Sequence, residues 1–252
     1  MNDNLPTSHQ QNLRLAILAA GEGSRLRAEG IEASKPLVKV GGQTLIERIV
    51  GAAVRSGVRS ACCIINEESP DLREYLAAHD FGIEIRLLVQ STPSSMHSLF
   101  ALSPWLLDGP FCLTTVDSVF HEEEFRAFLA HATSAGTADG TLAVTRFIDD
   151  EKPLCVAMEA DGRIARFSDS REGYTWATGG LYYFTPRIFD HREKAMQRRI
   201  ERLRNFLRLL LEQGCRLEGY ALTKIIDVDH VHDIAVAEEF LSASRARPVA
   251  RV

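Results

Sequence analysis

Leu15-Ala16-Ile17-Leu18-Ala19-Ala20-Gly21-Glu22-Gly23-Ser24-Arg25-Leu26, with Ser34-Lys35-Pro36-Leu37 a few residues on, decides how the chain is read. Leu15, Ile17 and Leu18 form an apolar run that predicts a short buried strand, and the run stops at two closely spaced glycines. Gly21 and Gly23 permit positive φ and let the backbone approach a ligand with no Cβ in the way. Successive N–H groups in such a turn form a nest for an anion. Arg25 and Lys35 add fixed positive charge beside it. The stretch reads as a phosphate-gripping turn at the carboxyl end of a first strand. A dinucleotide fingerprint is excluded, because Leu26 stands where its third glycine belongs, and no Gly-x-x-x-x-Gly-Lys-Ser/Thr loop occurs. Two glycines alone also fit an ordinary strand-to-helix turn with a solvated Arg and Lys.

Outward from this turn, strand-like and helix-like segments alternate. Residues 43–57 carry Leu45, Ile46, Ile49, Val50 and Ala53 at helical spacing and end at Gly57. A buried strand is expected over 61–65. A short helix follows, capped by Ser69 or Asp71, with Leu72, Tyr75 and Leu76 inward. Residues 83–89 read as a third strand, 95–107 as a helix and 111–116 as a fourth buried strand with Asp117 at its end. Residues 122–131 form the next helix, three acids at its positive end. This alternation predicts a parallel sheet covered on both faces, which binds ligands beyond the carboxyl ends of its strands. From about Thr141 the texture changes to strands over 142–147, 154–159, 163–167 and 177–184, an antiparallel extension. One long helix over 191–213, a strand over 224–229 and a helix over 231–242 complete the chain. The arginine-rich outer face of 191–213 reads as a solvated face or a surface for a partner or acidic substrate.

Over 252 residues, 45% hydrophobic and 25% charged composition fits one soluble α/β domain. A net charge of −5 gives no sign of nucleic-acid binding, and no apolar stretch approaches the ~18–20 residues that span a bilayer. Residues 1–11 lack a signal-peptide pattern, and five cysteines without Cys-x-x-Cys spacing imply reduced, buried thiols in a cytoplasmic protein. Residues 1–12 and 244–252 are expected to be disordered tails around a single domain, 13–243, with halves 13–140 and 141–243.

Two acidic positions bear on chemistry. Asp117, at the end of a buried strand on the edge where the glycine turn lies, suits a metal ion, a helix cap or a loop. Asp227 and Asp229 alternate on an expected strand, so their carboxylates face one side, ~6–7 Å apart, close enough to share an ion. His230 and His232 have no third histidine at a ligating spacing and read as loop polar residues.

The string Leu18 to Leu26, continued by Lys35-Pro-Leu-Val-Lys-Val-Gly-Gly42, closely resembles the signature of sugar-1-phosphate nucleotidyltransferases. Residues 226–234 resemble the same family's closing Asp-x-Asp-Thr-Pro-Glu-Asp-Leu, with His230, Val231 and His232 in place of Thr-Pro-Glu. The resemblance implies a Rossmann-like α/β fold of the nucleotide-diphospho-sugar transferase type: a mostly parallel mixed sheet with helices on both faces and an antiparallel acceptor-side extension. It implies Mg2+-dependent transfer of a nucleotidyl group from an NTP to a phosphorylated acceptor, with release of pyrophosphate. Arg25 would hold the β- and γ-phosphates, Lys35 the α-phosphate or acceptor phosphate, and Asp117 with Asp229, ranked above Asp227, the metal. Leu18, Ala19, Ala20, Gly21, Glu22, Gly23, Ser24, Arg25, Gln90 and Ser95 would bind the nucleotide. Gly180 and Tyr182 match an acceptor-side Gly-x-Tyr strand. Lys152, in a Glu-Lys-Pro that precedes the Asp161-Gly162 hairpin instead of following it, carries little weight, and Trp176 reads as a core or hairpin aromatic. Ser94-Ser95-Met96-His97-Ser98-Leu99 resembles the Asn-Asn-x-Tyr-Ser-Leu of bacterial choline-phosphate cytidylyltransferases, which leaves the base open. Alternatives on the same scaffold are an alcohol-phosphate cytidylyltransferase, a molybdopterin-guanylyltransferase-like enzyme, and an NTP-binding regulatory domain. Neither the acceptor nor the oligomeric state is legible.

Overall fold

The computed structural model describes residues 13–134, 136, 138–147 and 152–245. The expected tails, 1–12 and most of 244–252, lie outside the described residues. In chain order, β1 (Arg14–Ala19) leads through the glycine turn into the short α1 (Ser24–Ala28). A ribbon of β2 (Lys39–Val40) and β3 (Gln43–Thr44) precedes α2 (Leu45–Arg55), whose Thr44 and Glu47 form a reciprocal cap. Next come β4 (Ser60–Ile65), α3 (Pro70–Ala78), β5 (Glu84–Val89) and α4 (Ser95–Leu102). They are followed by β6 (Phe111–Thr115), β7 (Ser118–Val119) and α5 (Glu122–Ser134). The second half holds β8 (Gly140–Thr145), β9 (Cys155–Met158), β10 (Ile164–Ser168) and β11 (Trp176–Phe184). The last elements are α6 (Arg192–Gln197), α7 (Leu203–Glu212), β12 (Leu217–Ala221), β13 (Ile226–Asp227) and α8 (Val231–Arg245).

The main sheet runs β10-β9-β11-β6-β1-β4-β5, with β8 beside β11 and β12 beside β8. β6, β1, β4 and β5 are parallel, and β11 joins them antiparallel to β6. Helices cover both faces, which explains why β1 is apolar from Leu15 to Ala19 instead of alternating. Leu15, Ile17 and Ala19 face a core shared with α2 and α5, while Ala16 and Leu18 face a core shared with α4 and α7. Leu15 and Ile17 are fully buried, each worth ~1.5–3 kcal/mol. The strand that carries the glycine turn is thereby pinned from both sides. Cys62 and Cys63 separate onto the two faces as expected, and all five cysteines are buried without disulfides. Burial pushes the Cys62 thiol up to about 12 and the Cys215 thiol to about 11, which suppresses the reactive thiolate.

A third, smaller core joins Leu26, Val38, Leu45, Val119, Ile226, Val228 and Ala237. It clamps residues 26–45 to β13 and α8. Leu18 pairs with Thr115 and Ala19 with Ile65, so the turn after β1 and the residues after β6 emerge at one edge.

Three expectations are corrected. The helix over 191–213 is two helices: α6 ends at Gln197 and α7 begins at Leu203, and between them Arg199 and Arg202 take positive φ of 52° and 65°. The strand over 224–229 shrinks to β13, which pairs with β7, because β12 already occupies the place beside β8. The helix over 95–107 stops at Leu102 and tightens into a 3-10 turn over Ser103–Trp105, where Pro104 cannot continue the α-helical ladder.

Candidate active site

Gly23 adopts the left-handed conformation (φ 59°, ψ 31°) as the residue preceding α1. An added Cβ there would stand 3.0 Å from Lys35 Cβ, so backbone and neighbour both demand glycine. Gly21 differs: it does not use positive φ, and an added Cβ would meet nothing within 4 Å. Its missing side chain leaves the turn open to the solvent side. Among the described residues no recorded hydrogen bond uses the N–H of Gly21, Glu22 or Gly23. The turn is braced from behind, where Asn66 Nδ2 donates to Ala20 O at 3.4 Å.

Lys35 opens a 3-10 turn, Lys35–Leu37, in which Leu37 N–H donates to Ser34 O at 2.8 Å. Asp71, in the first turn of α3, fixes that turn by accepting from Ser34 N–H at 2.8 Å and Ser34 Oγ at 2.5 Å. The lysine side chain is 9% exposed, and its Nζ donates to Asp117 Oδ2 at 2.6 Å and Asp229 Oδ1 at 2.5 Å. One nitrogen thus gathers two carboxylates that lie 112 residues apart in the sequence. Arg25 closes the group from the solvent side, donating to Asp229 Oδ2 at 2.8 Å. Burial alone would lower the Lys35 ammonium, but the two carboxylates outweigh it and hold it well above the ordinary lysine value. Burial likewise opposes ionised Asp117. Lys35 and the Thr115 hydroxyl overcome that and bring the carboxyl below its usual range.

Asp229 is aimed by α8. Asp233 Oδ2 accepts from the N–H groups of Asp229 (2.9 Å) and His230 (2.7 Å), which sets the turn into the helix. Glu29, just past α1, accepts from Val231 N–H at 2.7 Å and meets His230 Nδ1 at 2.5 Å. That contact holds His230 above and Glu29 below their ordinary values. The two histidines stack on each other with ring centroids 5.6 Å apart. Among the described residues there is no group of three or more His, Cys, Asp or Glu side chains fit to hold a metal by themselves.

Two clefts meet at Asp117. The first, 510 Å³, is lined by Leu18, the turn Ala20–Arg25, Lys35, Asp229 and the loop Thr92–Ser95. The second, 300 Å³, is lined by Gly180, Tyr182, Asp227, Arg202 and Arg204 among others. Ser95, Thr115 and Asp117 line both. A third hollow of 330 Å³ adjoins them and touches Arg25, Asp227 and Asp229.

The expected residues therefore sort unequally. Leu18, Ala20, Gly21, Glu22, Gly23, Ser24, Arg25, Lys35, Ser95, Asp117 and Asp229 come together around the first cleft. Ala19 does not: it is buried in the core on the other face of the sheet. Gln90 does not either; it stands exposed at the end of edge strand β5 and lines neither cleft. Asp227 Oδ1 accepts from Ser118 Oγ at 2.8 Å and borders the second cleft, not the first. Tyr182 is buried beside it, and burial followed by the Asp227 charge raises its phenol. Gly180 is a packing requirement, because an added Cβ would fall 1.9 Å from Thr115 Oγ1 and 2.3 Å from Ser118 Oγ. Trp176 lies under the Arg146 guanidinium (4.6 Å), and Lys152 contributes its carbonyl to Arg204 at 2.8 Å. The sequence reading missed Thr115, Ser118, Arg202 and Arg204. The first two sit within three residues of Asp117, and the two arginines were absorbed into one continuous helix face over 191–213, which the structure breaks just before Arg204.

Fold and site define a Rossmann-like α/β protein with an anion-ready cleft at the carboxyl edge of its parallel strands. The chain belongs to the nucleotidyl transferase family, which matches residues 15–243. It is 28% identical over 190 residues to the mannose-1-phosphate guanyltransferase of Neurospora crassa, covering 72% of this chain and 52% of that protein. It is 25% identical over 228 residues to the bifunctional IPC transferase and DIPP synthase of Aquifex aeolicus, covering 89% of this chain and 51% of that protein. The chain thus spans about half the length of these curated relatives. The structure of an inositol-1-phosphate CTP transferase from T. maritima superimposes with a TM-score of 0.78 at 21% identity, covering 93% of this chain and 97% of that one, and shares the fold. No helix among the described residues is long and apolar enough to cross a membrane.

Proposed function

We propose that this chain transfers a nucleotidyl group from an NTP to a phosphorylated small-molecule acceptor and releases pyrophosphate. The observation that carries the reading is the Lys35 ammonium held between Asp117 and Asp229 where two clefts meet. Nucleotidyl transfer asks a protein mainly for positioned phosphates and countercharge. The nucleotide lies in the first cleft, its phosphates against the open backbone at Gly21–Gly23 and the Arg25 guanidinium. The acceptor lies in the second, its phosphate facing Lys35 and the arginines at 202 and 204. An acceptor phosphate oxygen attacks the α-phosphorus in line, the bond to the pyrophosphate oxygen breaks, and no covalent enzyme intermediate forms. Lys35 neutralises charge where the two phosphates approach.

Asp117 and Asp229 are the residues that would hold a Mg2+ ion, and two carboxylates are its usual protein share beside phosphate and water oxygens. Bound there, the ion would supply further neutralisation of phosphate oxygens. Asp227 is a secondary choice, since Ser118 already engages it. Residues 13–243 act as one domain, an assignment supported by a sheet whose strands come from both halves. A cytoplasmic setting is supported by five buried cysteines without disulfides.

Cytidylyl transfer to an alcohol phosphate is the second reading, favoured by the Ser94–Leu99 segment. Pyrophosphate release, measured for CTP, UTP, GTP and dTTP against sugar-1-phosphates, inositol-1-phosphate and phosphocholine with Mg2+, tests both. Turnover with one pair, abolished in Asp117→Ala, is expected. Nucleotide binding by thermal shift with no pyrophosphate from any pair would replace the enzyme reading by that of a regulatory NTP-binding domain.

A further inference from the structure

α7 begins in a way that its own sequence does not support. The residue preceding it is Arg202, which makes no side-chain cap bond and sits at φ 65°, ψ 141°, a backbone region that non-glycine residues avoid. Three residues earlier Arg199 is also left-handed, at φ 52°. The caps come from elsewhere: Arg202 N–H donates to Ser94 Oγ at 3.1 Å, and Leu203 N–H donates to Ser95 Oγ at 3.0 Å. Ser94 precedes α4, where a serine hydroxyl ordinarily caps its own helix, yet it makes no such bond. Its hydroxyl accepts from the Arg202 N–H and reaches Nδ1 of His97 in α4 at 2.9 Å. One helix forgoes its cap so that another, 108 residues on, can start.

The two ends of this link belong to different clefts. Ser94 lines the first cleft and Ser95 lines both, while Arg202, Leu203 and Arg204 line the second. A turn held in an unfavourable backbone conformation persists only while its surroundings impose it. Here the two serine hydroxyls impose it.

We infer that Ser94 and Ser95 are positioning residues that couple the clefts, so that nucleotide seated against the Thr92–Ser95 loop fixes the Arg202 turn and with it the acceptor subsite. This rests on the nucleotidyltransferase reading above. Nucleotide binding then strengthens acceptor binding, and the acceptor returns the same factor to the nucleotide.

Amide hydrogen exchange with each of the four NTPs and Mg2+ tests the link. The expected result is slowed exchange over 20–26 together with slowed exchange over 200–206 in the wild type. Ser94→Ala should keep the first response and lose the second, and Ser94→Thr, which retains a hydroxyl, should restore it. In turnover at saturating NTP, Ser94→Ala should raise the acceptor KM about five- to tenfold, the scale of one lost hydrogen bond, while the Kd of NTP measured without acceptor changes by less than about twofold. Protection of 20–26 with 200–206 unchanged overturns the coupling while leaving the functional reading intact. So does a rise confined to the NTP KM. No protection of 20–26 by any NTP overturns both. The wild-type exchange response needs no variant, so it decides the matter even where Ser94→Ala does not fold.

Discussion

The two clefts on either side of Asp117 are made in opposite ways. The first is opened by one continuous stretch, where β1 ends, the glycine turn follows and Arg25 comes within six residues of Ala19, and it is closed by Lys35, the loop Thr92–Ser95, Asp117 and Asp229. Its working surface is backbone, exposed because side chains are absent. The second is assembled from β6, β11, the β7–β13 ribbon and the turn before α7, and its surface is side chains. Ser95, Thr115 and Asp117, the last bonded to Lys35, belong to both. A cleft made by omission is written in local sequence. A cleft made by convergence is written in the packing of the whole chain.

The largest expected effect falls on the shared group. Asp117→Asn keeps the shape but removes one of the two charges held by Lys35, and it should lower kcat by about 10²–10³-fold, the scale of removing one preorganised electrostatic contact at a reacting centre. Steady-state pyrophosphate release checks it. A loss confined to the KM of one substrate would assign Asp117 to a single cleft and break the comparison.

Next comes the convergent side. Gly180→Ala places a Cβ against Thr115 Oγ1 and Ser118 Oγ, both anchored in short strand segments that cannot retreat cheaply. Overpacking of this kind costs ~1–3 kcal/mol, or a Tm lowered by about 2–10 °C. The acceptor KM should rise more than the NTP KM. A melting temperature unchanged within about 1 °C would mean that the acceptor-side strands yield more easily than their packing implies.

The same contrast explains what the sequence revealed. β1, β4 and β6 are buried on both faces and carry the apolar runs Leu15–Ala19, Ala61–Ile65 and Phe111–Leu113, so the parallel half and its helices were legible, and so was the placing of the glycine turn and Asp117 on one edge. The break between α6 and α7 was not. Leu203, Phe206, Leu207 and Leu210 keep helical spacing from Ile200, and neither glycine nor proline marks the bend. Arg202 takes glycine-like backbone there while the hydroxyls of Ser94 and Ser95 hold it and Leu203, and distant contacts leave no local trace. β12 was hidden for a related reason: Leu217-Glu-Gly-Tyr-Ala carries a buried glutamate and a glycine that contradict strand patterning. Asp229 was found from its motif, but the hydrogen bond that singles it out over Asp227 comes from a lysine 194 residues earlier.

Within the first cleft, the two glycines sharpen the comparison. Gly23→Ala forces a Cβ into left-handed backbone and against Lys35, so about 1–2 kcal/mol of stability should be lost. Gly21→Ala meets nothing in the fold and should leave the melting temperature within about 1 °C while weakening NTP binding. Calorimetric NTP titration of both variants beside their melting curves checks the pair. Equal stability losses would show that the turn is constrained throughout, not opened at Gly21 for a ligand.

The smallest effect concerns the brace beneath Lys35, for which charge rather than shape is the variable. Burial pulls the Asp71 carboxyl upward, and the bonds from Ser34 together with backbone amides of α3 pull it down further, so its folded value lies below the ordinary one. A carboxyl depressed by folding contributes stability that is present above its unfolded value of about 3.9 and is lost as the pH falls through the folded value. Asp71→Asn removes that dependence. The wild type should therefore melt above Asp71→Asn at about pH 6, and the gap should close as the pH is lowered from about 5 towards 3. Melting curves across that range measure it directly. A gap that stays constant with pH would show that Ser34 and the Lys35 turn are held by the shape of the Asp71 side chain, placing this brace with the packing-built second cleft instead of the first.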